Sequence, residues 1–303
     1  MAHAIALSRA EALDAFRTAC RYDVLAVKPG NVSIHSPGHG MTARDFLASA
    51  AAAADPATDI SRPLGDGIRA AVKASVTAAG CNTNLGILLL CVPLLRAALL
   101  PSVSMPLRAR LRPVLAAADL ADSAAVFEAI RIANPGGLGS APAEDVHAAP
   151  SRALRAIMAL AADRDLIARQ YADDFAAVFN TGVSALREEC ARGESLASAA
   201  THCYLEFLGG NLDSHVVRKR GEACAADVAA RARAVASALK ACEDPRARQS
   251  VLAEFDAELK REGVNPGTSA DLTVASLAAW LLDTALREEA VGNPIRPRAG
   301  GHA

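Results

Sequence analysis

Asn82-Thr83-Asn84-Leu85-Gly86-Ile87-Leu88-Leu89-Leu90-Cys91-Val92-Pro93-Leu94-Leu95-Arg96 decides the fold. A polar clasp, preceded by Gly80, opens an apolar run that continues to Leu100, with no charge before Arg96. A helix that is apolar nearly all round belongs in a protein interior, so the stretch 82–100 predicts a central helix with other helices packed about it. Pro93 inside it predicts a kink. Leu85 to Leu95 is too short to span a bilayer, which takes about 20 residues. The polar start has two readings. It caps the helix, or it offers the unpaired N–H groups and positive dipole end of that helix to an anion.

Composition agrees with a helical interior. The chain has 303 residues, 52% of them hydrophobic but only 4% aromatic. Its many alanines favour helices and let them pack closely. The balance of 32 basic against 33 acidic side chains, a net charge of -1, excludes the basic face that nucleic acid requires. Seven cysteines, at 20, 81, 91, 190, 203, 224 and 242, form no C-x-x-C pair. With no secretory signal in the first residues, they read as reduced thiols of a cytoplasmic protein.

Helical periodicity extends on both sides of the central run. The pattern predicts helices over 7–27, 42–54, 63–79, 106–118 and 122–133, then a long loop to Pro150. Further helices are expected over 151–180 with a break near Asp163, and over 182–193, 195–207, 221–241, 245–263 and 269–290. Gly209-Gly210 reads as a break between helices. Ser8 with Glu11, and Thr42 with Asp45, have capping-box spacing. Val32-Ser33-Ile34 is the nearest approach to a strand and is too short for a sheet. The expectation is a single all-α domain over residues 1–292 and a flexible tail over 293–303.

Three Gly/Pro-marked junctions carry the polar residues: Lys28-Pro29-Gly30-Asn31-Val32-Ser33, Asn82-Thr83-Asn84, and Asn265-Pro266-Gly267-Thr268-Ser269-Ala270-Asp271. Together they suggest one assembled pocket. Lys28 can meet a phosphate as a point charge, with Asn31 and Ser33 adding hydrogen bonds, or it ends a helix favourably at the dipole. Thr268 and Asp271 are spaced as a cap, and Asp271 is also a carboxylate beside the apolar run. Asp213-Ser214-His215 leads to Arg218 and Lys219, which can grip a polyphosphate or form a solvated helix end. Asp45, Asp145 and Asp271 are the candidates for Mg²⁺ ligands. His39, near His35 in a loop, reads as substrate-touching rather than as a zinc ligand.

These pieces, in this order, resemble the triphosphoribosyl-dephospho-CoA synthase family: Lys28-Pro29-Gly30, then His39 and Met41 with Phe46, then Asn82-Thr83 before a glycine and an apolar helix, then Asn265-Pro266-Gly267 to Leu272. The resemblance implies an all-α enzyme that takes ATP and 3′-dephospho-CoA and releases adenine, a substrate hydroxyl attacking the ribose C1′. It implies a carboxylate base, for which Asp45, Asp145 and Asp271 are the candidates, with His39 a further catalytic or substrate-touching residue. It implies phosphate and substrate binding by Lys28, Asn31, Ser33, Asn82, Thr83, Asn84, Arg218, Lys219, Asn265, Thr268 and Ser269, with Mg²⁺ assisting.

The chain also departs from the decarboxylase-linked members. They carry Asn-Thr-His-Lys-Gly where this sequence has Asn82-Thr83-Asn84-Leu85-Gly86, and His-x-Asp-Met where it has His39-Gly40-Met41. Arg164-Asp165-Leu166-Ile167-Ala168-Arg169 and Arg218-Lys219-Arg220-Gly221 resemble an archaeal and C1-metabolising branch. For that branch the partner would be a phosphorylated precursor of tetrahydromethanopterin or methanofuran. A non-enzymatic helical interaction protein is the third reading, and a homodimer stays open.

Overall fold

The computed structural model describes residues 5–103 and 105–291; the tail over 293–303 lies outside the described residues. Fourteen α-helices and one π-helical turn account for the regular structure among them, and only isolated β-bridges occur. In chain order the helices are α1 (Arg9–Leu25), α2 (Ala43–Ala57), α3 (Leu64–Ala79), α4 (Leu85–Leu99), α5 (Leu107–Ala117), α6 (Leu120–Ala133) and α7 (Leu154–Ala161). They continue as α8 (Leu166–Ala172), α9 (Val183–Ala191), α10 (Leu196–Gly210), α11 (Ser214–Arg220), α12 (Glu222–Ala241), α13 (Pro245–Arg261) and α14 (Gly267–Val291).

The central helix is α4. Every residue of it except Leu85 and Arg96 is buried. α14 runs along it and also meets α1 and α10, so two long apolar helices form the axis of the molecule. α2, α3 and α6 cover one side. A second apolar cluster, with Tyr204, Val228, Phe255 and Leu259 among its members, joins α10 to α12 and α13.

Pro93 explains how α4 tolerates its surroundings. A proline has no N–H, so the carbonyl of residue i−4, Leu89, loses its helical partner. The hydroxyl of Tyr171, a fully buried residue of α8, donates to Leu89 O at 2.6 Å. The helix continues through the proline because a side chain replaces the missing backbone donor.

Local capping follows the sequence. Ser8 and Glu11 exchange bonds at the start of α1, and Asp45 Oδ2 accepts from Thr42 N at 2.7 Å at the start of α2. The expected break at Gly209-Gly210 is not formed. α10 runs to Gly210, and Gly209 instead lets α12 approach, with Arg233 against it donating to its carbonyl at 2.6 Å. The expected helix over 151–180 divides into α7, α8 and a π-helical turn, Val178–Gly182.

Removing the hydroxyl at Tyr171 tests this account of α4. Tyr171→Phe leaves a buried carbonyl without a donor and is expected to cost about 1–3 kcal/mol in urea unfolding. The cost shrinks when Pro93→Ala restores the backbone N–H in the same chain.

Candidate active site

The three junctions come together. One cavity of about 590 Å³ is lined by Asn31 and His39 from the loop after α1, Asn82 and Thr83 before α4, and Asn265, Thr268 and Asp271 at the start of α14. Arg218 and Lys219 of α11, and Asp145 from the loop between α6 and α7, complete the sequence-predicted residues that reach it. The opposite wall is apolar, with Phe127 and Ile130 of α6 and Ile157 and Met158 of α7.

Five predicted residues do not line the cavity. The Lys28 ammonium is wholly buried, 2.6 Å from Asp23 Oδ1, and donates to Asn31 Oδ1 at 2.7 Å. It builds the wall rather than meeting a ligand. Asn84 turns toward α2, where its amide takes a hydrogen bond from Ala50 N (3.3 Å) and gives one to Thr83 O (3.1 Å). Ser269 donates through both its N and its Oγ to Asp213 Oδ2, at 2.7 and 2.8 Å. Ser33 is buried within the 33–36 turn. Asp45 is held at the start of α2 by Thr42, whose hydrogen bonds keep its carboxyl below the ordinary range.

The clasp therefore has a divided function. Asn82 Oδ1 accepts from Leu85 N at 3.2 Å and caps α4, while its side chain still borders the cavity. Thr83 donates to Ser49 Oγ at 2.7 Å, fastening α4 to α2.

Asp271 borders the cavity from the first turns of α14. It receives no hydrogen bond from the described residues, and burial, followed by the charges of Asp23 and Asp213, pushes its carboxyl well above the ordinary range. Gly86 makes its position possible. A Cβ at Gly86 would fall inside the Asp271 carboxylate, so only glycine lets the first turns of α4 and α14 approach this closely.

Two histidines, His39 and His215, line the same cavity. His39 Nε2 lies 2.8 Å from Gly30 O. A carbonyl only accepts, so Nε2 carries a proton. Burial, then Lys219, Arg218 and His39, drive His215 down to about 4. Arg218 pairs with Asp165 at 3.1 Å, and its Nε has no partner. Lys219 is exposed and makes no ion pair among the described residues.

The expected Mg²⁺ trio is not assembled. Asp45 is outside the cavity, and both Asp145 oxygens accept loop N–H groups, from Ala141 (2.7 Å) and His147 (2.8 Å). Among the described residues no group of three His, Cys, Asp or Glu side chains is placed to hold a metal ion.

Sequence reasoning missed Asp23. It lines the cavity from the end of α1 and is 2% exposed. The signal was present: Ala12, Ala15, Phe16, Ala19 and Cys20 mark the buried face of α1, and Asp23 continues that stripe as its one charge.

An all-α chain whose cavity joins cations to an unpaired carboxylate has the parts of a group-transfer enzyme acting on an anionic substrate. Residues 9–290 match the family model of ATP:dephospho-CoA triphosphoribosyl transferase, and the chain belongs to that family of transferases. A crystal structure from Archaeoglobus fulgidus, provisionally named a triphosphoribosyl-dephospho-CoA synthase, is similar at a TM-score of 0.59 and 26% identity, covering 78% of this chain and 99% of that one. A search of curated proteins gave no match. No helix among the described residues is long and apolar enough to cross a membrane.

Two outcomes test this geometry without a substrate. In an open helix Gly→Ala gains about 1 kcal/mol, whereas Gly86→Ala is expected to lower the melting temperature and Asp271→Ala in the same chain to recover part of the loss. The lowered His215 sets a pH dependence. Between its ordinary value near 6.5 and about 4 the unfolded chain binds a proton that the folded chain refuses, so folding stability falls as pH drops through that window. Thermal unfolding of His215→Gln is expected to show a flatter profile over the same range.

Proposed function

We propose that this chain transfers the triphosphoribosyl group of ATP to a hydroxyl of 3′-dephospho-CoA and releases adenine. The observation that carries this is the meeting, in one cavity, of the unpaired Asp271 carboxyl with Arg164, Arg218 and Lys219. The cations bind the triphosphate. Asn31, Asn265 and Thr268 orient the ribose and the acceptor. Asp271, a cavity carboxyl with no cation or hydrogen-bond donor of its own among the described residues, is the proton-handling group at C1′. Magnesium would accompany the triphosphate as its counter-ion and offset part of its charge.

One observation favours a second reading, in which the acceptor is a phosphorylated C1-carrier precursor. Leu85 stands where the decarboxylase-linked synthases carry lysine, and it lines the cavity as an apolar side chain. Asn84, at the family's histidine position, faces away from the cavity.

Incubation with ATP, magnesium and 3′-dephospho-CoA, followed by chromatography, is expected to show adenine formed one-for-one with the transfer product. Lys219→Ala and Arg218→Ala are each expected to raise the KM for ATP about tenfold, the loss of one phosphate contact of roughly 1.4 kcal/mol. Adenine release that appears only with a pterin or furan precursor would transfer the proposal to the second reading. No adenine release with any acceptor would sink both.

A further inference from the structure

Two carboxylates reach the cavity from opposite ends of the chain, Asp23 from α1 and Asp271 from α14, and their surroundings differ. Asp23 lies 2.6 Å from the Lys28 ammonium, whose other contact is Asn31 Oδ1 at 2.7 Å. Asn31 is fixed in turn by donating to Asn265 Oδ1 at 2.8 Å. Burial raises the proton affinity of Asp23, and Lys28 opposes it. A proton on Asp23 would strand a wholly buried ammonium, so the ion pair keeps Asp23 charged.

Asp271 has no such partner. The charged and titratable groups facing it are Asp23 and Lys28 from α1 and the loop after it, Asp213 and Arg218 from the α11 segment, and Cys91 within α4. Lys28 is committed to Asp23, and Arg218 to Asp165. Asp213 is occupied by Ser269, His215 and Val216. A lone carboxyl set beside a held negative charge is the place where a single proton resides.

We infer that the site divides the acid and base work between two carboxylates: Asp271 protonates the departing purine, and Asp23 takes the proton of the attacking hydroxyl. The division rests on the transferase reading above. The C1′–O bond forms as the C1′–N9 bond breaks, and the electron pair of the broken bond stays on the purine, which receives the Asp271 proton. The hydroxyl proton goes to Asp23. Adenine leaves neutral, and one proton passing from Asp23 to Asp271 restores the pair. Lys28 is the positioning residue that keeps Asp23 ionised.

The test compares two donors with one acceptor, 3′-dephospho-CoA. With ATP, Asp271→Asn and Asp23→Asn are each expected to lower kcat about 10²-fold or more. With 4-nitrophenyl riboside 5′-triphosphate, whose leaving group departs as an anion, Asp271→Asn recovers to within about tenfold of the unaltered enzyme. Asp23→Asn does not recover. The reverse pattern, or equal recovery of both, overturns the assignment. Lys28→Met is expected to shift the acidic limb of the kcat profile to higher pH, and Lys28→Arg to return it; an unmoved limb removes Lys28 from the mechanism.

Infrared difference spectra of the resting protein separate this inference from the transferase reading. A protonated-carboxyl band at neutral pH that vanishes in Asp271→Asn supports placing the resting proton on Asp271, whether or not the transferase reading holds. Absence of that band in the unaltered protein overturns it whatever the reaction proves to be.

Discussion

Gly86 allows α14 to bring Asp271 against the first turn of α4, and the polar half of the cavity is arranged around that approach. α4 is apolar on all sides and has no surface to spare for charge along its length. Its first turn is the one place where polar groups can meet it. α14 meets it there with a carboxyl that no cation or hydrogen-bond donor among the described residues pairs, and α6 and α7 line the cavity across from it. A larger residue at position 86 would push the two helices apart and separate Asp271 from the residues that line the rest of the wall.

That contact would not hold its geometry without the ties that bind the loop after α1 to the C-terminal helices. Gly30 N donates to Asp256 Oδ1 at 2.8 Å, the Tyr204 hydroxyl donates to Pro29 O at 2.6 Å, and Lys260 Nζ donates to Ser36 O at 3.1 Å. Asn31 adds its bond to Asn265 from the cavity side. The partners are buried or half-buried, so each bond is made away from competing water. The first and last quarters of the chain are thereby locked into one wall, and this is why Asp23 and Asp271 face the same space.

The central helix was legible because its apolar run has no other place to go, and the convergence of the junctions was legible because each combined a helix start with more polar atoms than a cap consumes. What escaped was the direction in which each side chain points. Asn84 and Ser269 occupy helix starts, where an amide or hydroxyl serves neighbouring helices and backbone as readily as a ligand, and both turned inward. Lys28 read as a phosphate contact because a sequence does not show that Asp23, five residues earlier, is buried with it and takes up its charge. Asp23 itself was hidden by its setting among alanines on α1, although a lone charge on a buried stripe is costly and therefore calls for a function.

Asn84 and Leu85 give the start of α4 no side-chain cation, and this sets where the cavity keeps its positive charge. Leu85 adds apolar surface, so a triphosphate cannot be held at the start of α4 by a side-chain cation. The charge lies instead on α11, where Arg218 and Lys219 border the cavity and their field, more than any neighbour apart from burial, keeps His215 neutral. The loop between α6 and α7 passes over Lys219 at Gly136, leaving its ammonium against backbone. A ligand anion seated there would extend across the cavity toward Asp271, with its less polar portion along Phe127, Ile130, Ile157 and Met158. The charged and apolar halves thus favour a substrate that is itself divided, phosphates at one end and a ring or uncharged arm at the other.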